Sequence, residues 1–333
     1  MKSRGKGFIS LFLVLVLIFT GCSNDESRGT EKEDTPKEEK RTDGQKQQEK
    51  ETNDDFIIPA QPQTLEHVHG VGYPGNDNSL YVASHEGIKM YKEGKWLETS
   101  SEKHDYMGFQ VVEDGFYSSG HPEKGSKLKN PLGLVKSVDF GKTLEKIAFY
   151  GESDFHFMSA SFQDRILYVI NEKPNSELGT GIYVSKDEGK SWEQAALKGF
   201  DAQTFGMISV HPEKGGTFAM STKDGLYISE DSGKTITEAG EYEMVTAAAF
   251  SKNALFISPI EQQELKLVKL NQDGTGPIDL PIPALAADNP ITYIAADIKQ
   301  DGRMAFITYQ NDLYESTDGG KTWKQILVKG NIK

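Results

Sequence analysis

The 333-residue chain contains a single cysteine, Cys22. One cysteine cannot form an intramolecular disulfide, and it excludes cysteine-based zinc and iron–sulfur sites, so any metal site must use nitrogen and oxygen ligands. Basic residues are outnumbered as well: 37 lysines and arginines stand against 50 acidic residues, giving a formal net charge of −13. An acidic surface repels phosphate, which argues against a general nucleic-acid binder.

Long hydrophobic runs are also lacking, apart from Phe8 to Phe19, and only 36% of the chain is hydrophobic, which excludes a polytopic membrane protein. A basic start precedes this run, and small residues follow it, as in a signal peptide. The sequence Phe19-Thr20-Gly21-Cys22 resembles a bacterial lipobox, with Phe19 in place of the usual leucine. The resemblance implies that Cys22 carries the acyl chains (palmitate among them) of an extracytoplasmic lipoprotein held at the cell membrane.

Residues 23–55 contain no aliphatic or aromatic side chain other than that of proline. Such a segment has nothing to bury, and we expect it to be a disordered, charged tether. The predicted organisation is a lipoprotein signal peptide at residues 1–21, the lipidated Cys22 with its tether at residues 22–58, and one folded domain at residues 59–333.

One eight-residue motif occurs four times in the folded part. The pattern is S-x-D-x-G-x-[ST]-W or a close variant, and the copies are Ser137 to Leu144, Ser185 to Trp192, Ser229 to Ile236 and Ser316 to Trp323. This is the Asp-box, found in sialidases, sortilin-type receptors and photosystem-assembly propellers. Its aspartate and glycine are suited to a hairpin turn, so we assign these aspartates a structural role.

The spacing of the boxes predicts the fold. Two degenerate turns, Lys92 to Trp96 and Asn271 to Thr275, complete a series of six repeats of about 45 residues, the size of a propeller blade. Each repeat contains four short alternating segments typical of β-strands. The sequence therefore predicts an all-β fold, a six-bladed β-propeller with Asp-box turns and no long strand exchange, and leaves open whether Phe56 to Pro59 add an edge strand.

In such a blade the Asp-box joins strands three and four, so the loops between blades and those between strands two and three lie on the opposite face. Long insertions in blades 2 and 3, at Gly120 to Pro131 and Asn171 to Thr180, mark this face as the binding surface. His104 and His211 lie in plain loops and are interpreted as ordinary surface residues. The candidate ligand-binding residues on this face are His67, His69, His85, Met107, His121 and His156.

Three functions remain open for this face. The first is binding of a ligand or partner, such as a glycan or a protein, by a membrane-anchored propeller. The second is glycosyl hydrolysis, with Asp105 and Asp154 as the catalytic acid and base candidates. The third is binding of a divalent transition metal (zinc, copper, nickel or iron) by a histidine set. The candidate metal ligands are His67, His69, His121 and His156.

Several further stretches, among them His67 to Gly70, Asp105 to Phe109 and Gly151 to His156, resemble a family of bacterial secreted Asp-box propeller proteins. Its members are commonly labelled glycosyl hydrolases, so the resemblance implies glycosyl hydrolase activity. A sialidase would need three arginines around the substrate carboxylate. The folded region has only Arg165 and Arg303, which argues against sialidase activity.

Overall fold

A computed structural model describes residues 56–333, so Cys22, the signal peptide and the tether up to residue 55 lie outside the described residues. The described residues form six antiparallel sheets of four or five strands, arranged as the blades of a β-propeller, and one two-stranded sheet outside the blades. Each sheet takes its four principal strands from consecutive stretches of the chain. Among residues 56–333, no helix has the length and hydropathy of a membrane span.

The first three blades contain β1 and β3–β14, and β2 lies outside them. Their strands are β1 (Ile57–Pro59), β2 (Gln63–Thr64), β3 (Val68–Gly72), β4 (Leu80–Ser84), β5 (Gly87–Lys92), β6 (Lys95–Thr99), β7 (Asp105–Val112), β8 (Gly115–His121), β9 (Leu134–Ser137), β10 (Glu145–Ala148), β11 (Met158–Ala160), β12 (Leu167–Asn171), β13 (Gly181–Ser185) and β14 (Glu193–Gln194).

Blades 4 to 6 contain β15–β27, and β28 pairs with β2. Their strands are β15 (Met207–Val210), β16 (Phe218–Thr222), β17 (Gly225–Ser229), β18 (Thr237–Glu238), β19 (Met244–Phe250), β20 (Leu255–Glu261), β21 (Glu264–Leu265), β22 (Leu267–Leu270), β23 (Ile278–Leu280), β24 (Ile291–Ala296), β25 (Met304–Thr308), β26 (Leu313–Ser316), β27 (Lys324–Leu327) and β28 (Asn331–Ile332). The six predicted blades are confirmed.

The first strand of every blade faces the central channel, where these strands enclose a cavity of about 110 Å³. The second and third strands are almost entirely buried, because they pack between neighbouring blades. One such interface joins Tyr117 and Leu134 of blade 2 to Leu167 and Val169 of blade 3, with Trp192 packed against them. The core is therefore a ring of apolar layers between blades.

Each Asp-box forms the turn between strands three and four, as predicted. In blade 3 the Ser185 hydroxyl accepts a hydrogen bond from the Gly189 amide (2.7 Å), and Asp187 accepts one from the Ser191 amide (2.8 Å). Gly189 has a φ of 89°, which favours glycine. The closing Trp192 packs between blades 2 and 3, so the box serves both the turn and the interface.

The ring closes without strand exchange. Blade 6 consists of β24–β27, and its first strand packs beside β3 of blade 1. Outside the blades, β2 pairs with β28, with Gln63 opposite Ile332 and Thr64 opposite Asn331. The edge strand that the sequence left open is present: β1 pairs with β6 as a fifth strand of blade 1.

Candidate functional site

The strand order explains why the candidate residues share one face. The Asp-boxes lie on one face of the ring, and the other face carries the starts of the first strands and the ends of the second strands. We call this second face the histidine face. His69 lies in β3, Asp105 begins β7, and Asp154 and His156 directly precede β11; His85 follows β4, and His121 ends β8.

His69, His85 and Asp105 form a group that we call the first cluster. His85 donates from Nδ1 to Asp105 Oδ2 at 2.8 Å, and His69 Nε2 lies 3.5 Å from Asp105 Oδ1. One potential ligand atom from each of the three residues lies within 4.8 Å of the others. The His67 ring stands perpendicular to that of His85, with their centroids 5.0 Å apart, so His67 borders the cluster.

Two atoms of the first cluster lack the partners that buried polar atoms normally have. Within residues 56–333, His69 Nε2 and Asp105 Oδ1 are both buried and neither has a hydrogen-bond partner. Burial lowers the pKa of His69 to about 4, Asp105 opposes this effect, and the neighbouring imidazoles of His85 and His67 add to it. His69 is therefore neutral at neutral pH, the form that offers a lone pair to a metal.

His121, Asp154 and His156 form a second cluster. Asp154 Oδ2 lies 3.2 Å from His121 Nε2 and 3.5 Å from His156 Nε2. The outer nitrogens also have partners, since His121 Nδ1 lies 2.6 Å from Asn130 Oδ1 and His156 Nδ1 lies 3.6 Å from Glu172 Oε2. Asp154 Oδ1 is buried and has no hydrogen-bond partner among the residues that the structure describes.

Charge is distributed differently in the second cluster. The hydrogen bond to Asp154 raises the pKa of His121 to about 9, against the effect of burial and with the help of Asn130. Burial would raise the pKa of Asp154, but the hydrogen bond from His121 and the charge of His156 outweigh it, and this pKa is lowered. Without a bound ligand, His121 and Asp154 are therefore an imidazolium–carboxylate pair at neutral pH.

The two clusters share a histidine–aspartate pair that joins consecutive blades. In each, a histidine at the end of a second strand reaches the aspartate that precedes or begins the first strand of the next blade: His85 reaches Asp105, and His121 reaches Asp154. The third histidine differs between the clusters, because Asp105 also contacts His69 of the preceding blade, whereas Asp154 contacts His156 of its own blade. The clusters also influence each other, since the charge of His156 contributes to lowering the pKa of His69.

Close packing of the backbone holds the two clusters together. Gly120, next to His121, has a φ of 112°, and a Cβ there would lie 2.0 Å from the carbonyl oxygen of Asp105. The Phe155 amide donates to the buried Ser119 hydroxyl at 2.9 Å, which fixes the segment that carries Asp154. These contacts position both carboxylates on ordered backbone.

The structure divides the predicted metal ligands between these groups. His69 belongs to the first cluster and His121 and His156 belong to the second, while His67 lies at the border of the first. His85 was predicted to bind a ligand but was left out of the metal set, and the structure adds it. Met107 is buried in β7, where its carbonyl oxygen accepts a hydrogen bond from Ser118.

The two predicted catalytic carboxylates are the centres of the two clusters. A general acid of a glycosidase needs a raised pKa. The pKa of Asp154 is lowered, and so is that of Glu152, through hydrogen bonds from Ser176. The lowered pKa values of Asp154 and Glu152 suit a carboxylate that binds a cation or acts as a base better than they suit a general acid. The role of Asp105 and Asp154 in hydrolysis stays a prediction.

The interpretation of His104 and His211 as surface residues is wrong, because both side chains are buried. His104 Nδ1 accepts a hydrogen bond from the Glu123 amide at 2.9 Å. His211 Nδ1 accepts from the amides of Glu213 and Lys214, each at 3.1 Å. Both imidazoles therefore stabilise loops by accepting hydrogen bonds from loop backbone amides.

Sequence reasoning did not assign a role to Asn130 and Glu172, which contact the outer nitrogens of the second cluster. Both lie in the long loops between strands two and three of blades 2 and 3. The loop lengths were a usable signal, but nothing in the sequence indicates which loop residue turns toward a histidine. Asn130 therefore adds a partner that only the folded loop reveals.

The two arginines lie away from the clusters. Arg165 pairs with Asp114 at 3.0 Å and with Glu188, and Arg303 pairs with Glu315 at 3.0 Å. Arg165 lies between β11 and β12 and Arg303 directly precedes β25, so both are on the Asp-box face. This placement agrees with the argument against a sialidase carboxylate clamp.

Two histidines and one carboxylate are a common ligand set for zinc, iron and other divalent transition metals, and such sites leave positions open for water or substrate. The residues of the first cluster fit this chemistry, since a metal would partner both His69 Nε2 and Asp105 Oδ1. They would hold the ion between blades 1 and 2. The arrangement can therefore bind a metal ion, or an external ligand through that ion.

Comparisons with known proteins agree with the fold. Residues 314–325 match the BNR/Asp-box repeat family. Sortilin from Danio rerio is 20% identical over 270 residues, which cover 65% of this chain and 31% of sortilin. The chain thus spans about a third of the length of that relative.

Two solved structures show the same fold. The GH74 enzyme from Niastella koreensis is 14% identical with a TM-score of 0.53, covering 81% of this chain and 47% of that chain. The GH74 xyloglucanase from Xanthomonas campestris is 16% identical with a TM-score of 0.50, covering 81% of this chain and 46% of that chain. The chain is similar to these proteins in fold, and it is a six-bladed β-propeller with BNR/Asp-box repeats.

Proposed function

We propose that this protein is a lipid-anchored, extracytoplasmic β-propeller that binds a ligand on its histidine face, and that the ligand is a divalent transition-metal ion held by the first cluster. The single observation that carries the proposal is the pair of buried, unpartnered atoms His69 Nε2 and Asp105 Oδ1, 3.5 Å apart. Buried polar atoms are normally hydrogen-bonded, so this pair indicates a bound ligand that contacts both atoms.

The chemistry of the cluster selects a metal over other ligands. His69 is neutral, Asp105 supplies negative charge, and His85 provides a second imidazole within reach. A neutral imidazole with a carboxylate suits zinc, copper, nickel or iron, and the chain has no thiolate in the described residues that would favour another set. The metal bound would still have open coordination positions toward solvent.

The proposed anchor rests on the sequence of residues 1–22. Acylation of Cys22 would place the propeller at the outer surface of the membrane, and the charged residues 23–55 would separate it from the lipid. A metal-binding face on such a domain would meet ions and ligands outside the cytoplasm.

Elemental analysis after equilibrium dialysis against zinc tests the metal proposal, using the purified full chain without a histidine tag. We expect the His69→Ala variant to bind one equivalent of zinc less than the wild type. His211→Asn is the matched control, because it removes an imidazole far from the cluster and keeps an acceptor near the Nδ1 position. Equal zinc content in His69→Ala and the wild type, or no zinc in either, would overturn the proposal and leave glycans and proteins as the ligands to screen.

A further inference from the structure

We propose that a cleft on the outer side of blade 2 binds an acidic polysaccharide. This inference goes beyond the proposed function, because no residue of either histidine cluster lines the cleft and it needs no metal ion. The cleft has a volume of about 740 Å³ and lies between the loop that follows β8 and the outer strand β10 with its flanking residues. We call it the lysine cleft, and its charged lining residues are Lys124, Lys127, Lys142, Lys146, Glu102 and Glu123.

The lysine cleft carries an excess of positive charge on an acidic protein. Four lysines and two glutamates line it, whereas the whole chain has a net charge of −13. All four lysines are exposed, and Lys124, Lys127 and Lys146 form no salt bridge with a carboxylate of residues 56–333. Positive charges held close together repel one another, and an anionic ligand relieves this repulsion. The cleft therefore suits a ligand with acidic groups.

Apolar side chains lie between the charges. Leu128, Leu144 and Tyr150 line the cleft and are half-buried. The Tyr150 hydroxyl accepts a hydrogen bond from the Lys129 amide at 2.6 Å, which fixes the ring, and Lys146 Nζ lies 4.2 Å from the ring centroid. Ligand sites commonly combine apolar surface with a few placed polar groups. Here the apolar surface can contact the carbon skeleton of a sugar chain while the lysines bind its acidic groups.

The two glutamates select the class of ligand. Glu123 Oε2 accepts a hydrogen bond from the Lys103 amide at 3.1 Å, and Glu102 Oε2 lies 3.0 Å from His104 Nε2. These contacts use one oxygen of each carboxylate, so the other oxygen can accept a hydrogen bond from a ligand. An acidic polysaccharide provides hydroxyl donors beside its acidic groups. A polymer that carries only anionic groups would be repelled by both glutamates.

The loop that forms one wall of the cleft is held by hydrogen bonds. The Glu123 amide donates to the buried His104 Nδ1 at 2.9 Å, and the Ser126 amide donates to the Glu123 carbonyl at 2.9 Å. The Leu128 amide donates to the Ser126 hydroxyl at 3.2 Å. A wall that is already ordered loses little conformational freedom on binding. The buried His104 thus supports the segment that carries Lys124 and the other lysine of this loop.

Titration calorimetry of the full chain with a galacturonic-acid oligosaccharide tests the inference, in a buffer with EDTA so that no metal ion takes part. We expect Lys124→Gln/Lys127→Gln to weaken binding by about 10-fold. The same variant should reduce the salt dependence of the affinity, because fewer counterions are released on binding. Lys173→Gln/Lys190→Gln is the matched control, since it removes two exposed lysines from the long loop and the Asp-box of blade 3, and it should bind as the wild type does.

No binding of the acidic oligosaccharide to the wild type, or equal affinity in the cleft variant and the control, would overturn the inference. Equally tight, lysine-dependent binding of polyphosphate, of polyglutamate or of vesicles made of equal parts phosphatidylcholine and phosphatidylglycerol would also overturn it, because the cleft would then serve another class of partner. The EDTA makes each result independent of zinc binding at the first cluster. Circular-dichroism melting identifies a variant that fails to fold, and Lys127→Gln alone then replaces the double variant.

Discussion

The buried ion pair of blade 1 allows a quantitative prediction. Lys89 in β5 lies 2.6 Å from Glu98 in β6, and both side chains are at most 3% exposed. Gln63 also donates to Glu98 at 3.0 Å. Replacing Glu98 by glutamine keeps the shape of the side chain but leaves the Lys89 charge buried without its counter-charge.

The structure gives the expected magnitude. Burial would raise the pKa of Glu98, but the hydrogen bonds from Lys89 and Gln63 outweigh it and lower this pKa from 4.5 to about 2. Since one pKa unit is worth about 1.4 kcal/mol, the charged form is favoured by about 3 kcal/mol in the folded protein. Removing one partner of a buried pair costs a similar amount, about 3–5 kcal/mol.

We therefore expect Glu98→Gln to lower the free energy of unfolding by about 3 kcal/mol at neutral pH, measured by urea denaturation of the full chain. Because the folded pKa of Glu98 is lowered, its stabilisation is complete above pH 4.5 and is lost as the pH falls toward 2. The difference between variant and wild type should shrink over this window. The melting temperature should fall by about 5 °C at neutral pH.

Glu193→Gln is the matched control, since Glu193 also lies in a fourth strand and pairs with Lys186 at 2.9 Å, but with a side chain 70% exposed. An exposed pair contributes about 0–1 kcal/mol. The double variant Lys89→Met/Glu98→Gln should recover most of the lost stability, because no buried charge remains. A loss in Glu98→Gln no larger than in the control, or one that does not change between pH 7 and 2, would refute the reasoning.

Three further predictions concern the turn, the site and the anchor. Ser185→Ala, in the Asp-box of blade 3, should lower the free energy of unfolding by about 1–2 kcal/mol, because the buried Gly189 amide loses its hydrogen-bond acceptor. Urea denaturation measures this change. Gly120→Ala should reduce zinc binding and stability together, since its Cβ would meet backbone, whereas Gly125→Ala, also at positive φ but with open space, should leave zinc binding unchanged in dialysis. Cys22→Ser should move the protein from the membrane to the soluble fraction, and membrane retention of this variant would contradict the proposed acyl anchor.

Much of the fold could be predicted because the Asp-box is a local structure. Its serine, aspartate and glycine bond to one another within eight residues, so each copy marks a turn between strands three and four. Four such turns and the two degenerate ones at the same spacing give the blade number, and the two faces follow from strand order. Strand ends were less predictable: the fourth strand of blade 4 is only Thr237–Glu238, since Thr235 still forms a hydrogen bond within the Asp-box.

The candidate site could be predicted only as a set of residues on one face. Which histidine contacts which aspartate depends on the distance between side chains of two neighbouring blades. This distance cannot be read from the sequence. His85 joined Asp105 for this reason, although it was absent from the predicted metal set. The sequence did not indicate that His104 and His211 are buried. Their Nδ1 atoms accept hydrogen bonds from backbone amides, and every residue type except proline has such an amide.

The outer strands of the blades have a consequence for association between molecules. Exposed strand edges can pair with the edges of other chains, and short edges limit this. The outer strands β10, β14, β18, β23 and β27 are two to four residues long, whereas β6 of blade 1 has five. That longest fourth strand is the one that β1 covers. The described propeller therefore presents only short strand edges to neighbouring molecules, which limits edge-to-edge aggregation.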